Sequence, residues 1–77
     1  MAYYLEVMSG IRAITPAAAI DHELMLVLGM SLRMWCDANG VTPRMLDDAL
    51  HGKDPFGVID MLAAALGVLP ESLPRAA

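Results

Sequence analysis

Two histidines, His22 and His51, one cysteine, Cys36, and an adjacent pair of carboxylates, Asp47 and Asp48, are the residues of this 77-residue chain whose chemistry goes beyond packing. Zinc would need Cys or His ligands paired at short spacings, and these three stand isolated from one another. His22-Glu23 begins like a zinc-protease helix, but position 26, where the second histidine belongs, is Leu26. Cys36 as a nucleophile needs a neighbouring base or a helix N-terminus to lower its pKa, and it falls near the end of a helix of the wrong polarity. No Ser-His-Asp set and no phosphate-binding glycine loop is present. The expectation is a protein without catalytic activity, cofactor, metal or small-molecule substrate.

The carboxylate pair belongs to a different kind of surface. In the segment Pro43–His51, the residues Arg44, Asp47, Asp48 and His51 follow the spacing i, i+3, i+4, i+7, which places them on one outward helix face. That face reads either as a solvated stripe, with Asp48 pairing Arg44 one turn back, or as a surface that meets a partner. Leu46, Ala49 and Leu50 take the opposite, inward face.

The elements that hold this helix follow from caps and breakers. Residues 1–14 (Tyr3, Tyr4, Leu5, Val7 and Ile11 with a Ser9-Gly10 interruption) favour an extended arm. Thr15-Pro16 opens a helix with Ile20, Leu24, Val27 and Leu28 on one face, ending at Gly29. Ser31 caps a second helix that turns Leu32, Trp35 and Cys36 inward and Arg33 and Asp37 outward, and Asn39-Gly40 stops it. Only Val41 precedes the next cap, Thr42, so the two helices meet at a corner. Asp54-Pro55 repeats the device and opens a fourth helix to Leu66, apolar nearly all round with Asp60 as its only charge; Gly67 ends it. Pro70–Leu73 forms a last turn before a frayed tail at 75–77. The expected architecture is all-α: a small four-to-five-helix domain over residues 15–74 behind an N-terminal arm.

Composition bounds the assembly. So small a chain buries only roughly 60% of its extended-chain surface, which leaves a marginal core. Apolar residues make up 57% of it, seven of them Met, against roughly 45–50% in an ordinary soluble domain. One cysteine excludes an internal disulfide and favours a reducing, cytoplasmic setting. The apolar excess predicts a homodimer, with Val58, Met61, Ala65 and Leu69 on and after the fourth helix at its interface. The longest apolar run, Leu24–Leu32, falls far short of the roughly 20 residues that cross a bilayer, so no membrane partner is expected.

The stretch from Ser31 to Leu73 resembles the Cro and lambda-repressor-like helix-turn-helix proteins of phages and bacteria. The resemblance rests on Gly40-Val41 closing the second helix, Thr42-Pro43 opening the third, and the turn His51-Gly52-Lys53. Leu66-Gly67-Val68 then ends the fourth, with Pro70-Glu71 after it. With Ala17–Gly29 as first helix it covers about 60 residues. The resemblance implies a helix-turn-helix fold in which Thr42, Arg44, Met45, Asp47 and Asp48 face the major groove or its phosphates. Arg33 and Lys53, with Arg12 from the arm, would reach the backbone. Arg44 suits a base or phosphate, whereas an aspartate's favourable base contact is limited to cytosine N4.

Charge is the departure from that pattern. The net charge is −4, and Ser31–Leu66 holds three basic residues against five acidic ones. DNA binders usually carry a basic footprint. Two functions therefore stand side by side. One is a dimeric transcription regulator reading an operator through Pro43–His51. The other keeps the scaffold without DNA, as a phage- or mobile-element-encoded inhibitor that contacts a host protein complex through Arg44, Asp47, Asp48 and His51 or the apolar flank of the fourth helix.

Overall fold

Side-chain oxygens open the first three helices by accepting a backbone N–H that no helical carbonyl can reach. Thr15 Oγ1 accepts from Ala18 N at 3.1 Å, Ser31 Oγ from Met34 N at 3.1 Å and Thr42 Oγ1 from Met45 N at 3.1 Å. Pro16 and Pro43 follow two of these caps at the first helical position, where a missing N–H costs nothing. The computed structural model describes residues 15–76. Among them are four helices: α1 (Pro16–Leu28), α2 (Leu32–Asn39), α3 (Pro43–Leu50) and α4 (Val58–Leu66). A 3-10 turn, Pro70–Ser72, follows, and no strand occurs among the described residues. The expected arm at 1–14, with Arg12, lies outside the described residues.

α2 receives a second cap that spacing does not reveal. The N–H of Leu32 donates to Asp21 Oδ1 at 2.7 Å, so a carboxylate in the middle of α1 ties down the start of α2. Asp21 is thereby positioned by tertiary contact rather than by the dipole of its own helix. At the far end of α2, Gly40 adopts φ +69, and the N–H of Val41 bonds back to the Cys36 carbonyl at 2.9 Å. Val41 is buried, and this apolar anchor after a left-handed residue turns the chain between α2 and α3.

α4 begins at Val58, not at Pro55. Asp54 does act as the cap, but from four residues ahead: its Oδ1 accepts from Val58 N at 2.7 Å and its Oδ2 from Ile59 N at 2.9 Å. Gly57 sits at φ +71, a left-handed conformation that interrupts the helical path from Pro55. Both carboxylate oxygens are spent on the two first N–H groups of α4, which leaves Pro55 and Phe56 in the loop.

The core draws on every helix: Ile20 and Leu24, then Leu32, Trp35 and Cys36, then Leu46, Ala49 and Leu50, then Val58, Ile59, Leu62 and Ala63, with Val41 and Leu73 closing the gaps. α1 packs on α2 and α4, α3 packs on α4, and α4 packs on the terminal turn. Three expectations are corrected here. Val27 and Leu28 do not share the buried face of α1: they stand half-exposed, at 51% and 45%. Val58, expected at a dimer interface, is fully buried inside its own chain, because the Asp54 cap brings the start of α4 under the core. The tail does not fray at 75–76: the N–H of Ala76 bonds to the Leu50 carbonyl at 3.0 Å, and Arg75 Nη2 donates to the Pro70 carbonyl at 3.2 Å.

Candidate macromolecule-binding face

α3 is held on its inner side by Leu46, Ala49 and Leu50, and at its start by the Thr42 cap. Its end is closed by three bonds: His51 N to the Asp47 and Asp48 carbonyls at 3.2 and 3.1 Å, and Lys53 N to the Asp48 carbonyl at 2.8 Å. These bonds fix two turns of helix whose outer face carries Arg44, Asp47, Asp48 and His51, as their spacing predicts. The side chains of Arg44 and Asp47 are 90% and 73% exposed, those of Asp48 and His51 44% and 54%.

Interactions within the face are weak. Arg44 Nε lies 3.9 Å from Asp48 Oδ2, and His51 Nδ1 lies 3.7 Å from Asp47 Oδ1. Exposed pairs of this kind contribute about 0–1 kcal/mol, so Arg44 remains available to a partner. A second contact orients His51: its Nδ1 lies 2.8 Å from the Asp47 carbonyl oxygen. A carbonyl only accepts, so Nδ1 carries a proton in this contact.

The flanking residues divide. Thr42 is exposed and, while its oxygen caps α3, keeps a hydroxyl proton to donate. Met45 packs partly against the core and offers only part of its side chain. Lys53 is exposed just past the end of α3. Arg33, exposed on α2, borders a shallow groove that Asp21, Asp37 and Pro43 also line. The face thus has Arg44 in its first turn, Lys53 just past its end and the carboxylate pair between them. Of the residues expected at a dimer interface, Met61 and Ala65 are half-buried against the core, and Leu69 is 67% exposed. Phe56, in the loop after Lys53, is equally exposed. Helical spacing could not single it out, since it belongs to no helix; an aromatic between Pro55 and Gly57 was the one signal.

Cys36 is buried, and burial, with nearby Asp37 as a lesser cause, pushes its thiol above the ordinary value, opposite to what a nucleophile requires. No group of three or more His, Cys, Asp or Glu among the described residues comes together as a metal site, and no described helix is long and apolar enough to cross a membrane. Compared with known proteins, the chain matches no family model, no curated protein and no solved structure.

Proposed function

We propose that the chain is a helix-turn-helix module that works by binding a macromolecule through the outer face of α3, as a small dimeric transcription regulator of the phage or plasmid type acting in the cytoplasm. The observation that carries this reading is the presentation of α3. A two-turn helix is capped, anchored at its end and buried on one side, yet its opposite side holds a 90%-exposed arginine, with Lys53 exposed just past its end. The acidic excess of the helical body opposes this reading: Asp21 and Asp54 are engaged by the backbone N–H groups of α2 and α4, but these bonds leave their negative charge in place.

A protein partner is the second reading, and Asp47 favours it. Its carboxylate is 73% exposed and has no Lys or Arg within ion-pair reach among the described residues. Against a phosphate backbone such a group is repulsive; against a basic protein surface it is a ready acceptor. An inhibitor or adaptor of this type would occupy a host protein complex.

One pair of variants separates the readings by sign. On duplex DNA, Arg44→Ala weakens binding by about 1–3 kcal/mol if it reads a base, and lowers the salt slope by about one if it meets a phosphate. Asp47→Lys with Asp48→Lys strengthens DNA binding at low salt, whereas it releases a basic protein partner from a pull-down. Absence of binding to any duplex at 50 mM salt refutes the DNA reading.

A further inference from the structure

A helix cannot satisfy the carbonyls of its own last turn. At the end of α3 three of these are closed locally: Asp47 and Asp48 accept from His51 N, Asp48 also from Lys53 N, and Ala49 from Gly52 N at 3.1 Å. The last, Leu50, accepts from Ala76 N at 3.0 Å, a donor that lies beyond α4 and the 3-10 turn. Leu50 as a whole is only 5% exposed, so water has little access to that carbonyl and the N–H of Ala76 has no ready substitute. The donor is itself held in place. Leu73 is buried in the core, and Pro74, whose ring fixes φ, and Arg75 link it to Ala76. The Pro70 carbonyl ties this link down, accepting from Leu73 N at 3.3 Å and from Arg75 Nη2 at 3.2 Å.

We propose that Leu73–Ala76 is a strap that sets the position of the last turn of α3, and with it the placement of His51 and Lys53. The first turn does not depend on the strap: the Thr42 hydroxyl and buried Leu46 hold the part of α3 that carries Arg44. At the other end, His51 N and Lys53 N bond to the carbonyls of Asp47 and Asp48, in the same turn as the Leu50 carbonyl that the strap grips. One end of the outward face is therefore fixed by residues beside it in sequence. The other is fixed by a segment that reaches α3 only after α4 and the 3-10 turn have packed. Linkage between two sites is reciprocal. A partner that lifts Pro74–Ala76 away frees the end of α3 that bears His51 and Lys53, and a partner that grips that end holds the strap down. The strap stands whatever α3 binds; only its consequence for binding rests on the function proposed above.

Backbone nitrogen-15 relaxation on the full chain tests the strap, because order parameters report fast motion within the folded state rather than its overall stability. In the wild type the amides of His51, Lys53 and Ala76 are expected near the rigid value of about 0.85. Ala76→Pro removes the donor N–H and is expected to bring His51, Gly52 and Lys53 below about 0.7, while Met45 at the capped start of α3 and Trp35 on α2 keep the rigid value. Arg75→Ala leaves the N–H of Ala76 in place and is expected to keep the end of α3 rigid. Circular dichroism verifies helix content. If Ala76→Pro loses it, Pro74→Gly, which keeps the donor but loosens the link to Leu73, carries the test with a smaller drop at the same amides. A wild-type Ala76 below about 0.6 overturns the proposal. So does an Ala76→Pro chain whose last turn of α3 stays rigid, or one in which every helix loosens alike. All of these are read on the free protein, so failure to bind DNA leaves the result untouched.

Discussion

Asp54 is the residue at which a small change has the largest structural leverage. Its two carboxylate oxygens accept from Val58 N at 2.7 Å and Ile59 N at 2.9 Å, and the N-cap position itself, Gly57, has no side chain that could replace them. Loss of a helix N-cap costs about 0.5–2 kcal/mol, and hydrogen bonds to charged groups about 1.5–3 kcal/mol each, before solvent recovers part of the loss. Asp54 is half-buried and makes two such bonds, so Asp54→Ala is expected to destabilise the fold by about 2 kcal/mol. A chain of this size holds only about 4–11 kcal/mol in total. The helix released carries Val58 and Leu62, both fully buried, so loosening its start reaches the middle of the core. The melting temperature should fall by about 8–16 °C. Urea unfolding followed by circular dichroism and by the fluorescence of buried Trp35 measures the change. Asp54→Asn keeps one neutral acceptor and should lose about half as much. Asp60→Ala, exposed in the first turn of the same helix, separates the cap from the helix dipole and should cost only about 0.5 kcal/mol. An Asp54→Ala loss below about 0.5 kcal/mol, or one matched by Asp60→Ala, refutes the capping argument.

Gly40→Ala places a Cβ in empty space but at φ +69, so its cost is purely conformational, about 1–2 kcal/mol, seen as a lower urea midpoint at constant slope. A Gly40→Ala protein as stable as the wild type means that the corner between α2 and α3 does not require a left-handed residue. Cys36, buried with its thiol pushed up, should react with a thiol reagent at pH 7 far more slowly in the native chain than in urea. Because the native state favours the protonated thiol, this contribution is fully present below the ordinary value of 9.0 and is lost as pH rises through the raised native value. Unfolding curves between pH 8 and 10.5 should show that loss, and Cys36→Ala should lack it.

Much of the helical framework was legible in the sequence because caps are local. Thr15-Pro16, Ser31 and Thr42-Pro43 each act on N–H groups three residues on, and Gly29, Gly40 and Gly67 end helices through their own backbone angles. The outward set Arg44, Asp47, Asp48 and His51 was legible for the same reason, since helical period alone brings it to one side. The start of α4 was not. Asp54-Pro55 has the signature of a cap followed by a first helical residue, but a carboxylate bridging to Val58 and Ile59 across a left-handed Gly57 depends on where the preceding loop leaves the chain.

What the chain determines by itself is therefore which stretches are helical, where three of the four begin, and which residues stand together on α3, because these depend on contacts within four residues. Tertiary structure decided everything that needs a neighbour from another helix. It set Asp21 over the N-terminus of α2, buried Val58 beneath the core, drew Ala76 back to the carbonyl of Leu50, and left Met25–Leu28 exposed. Apolar residues at the right helical period look alike in sequence whether or not another helix covers them; only the lengths and placement of the packed helices decide which remain at the surface.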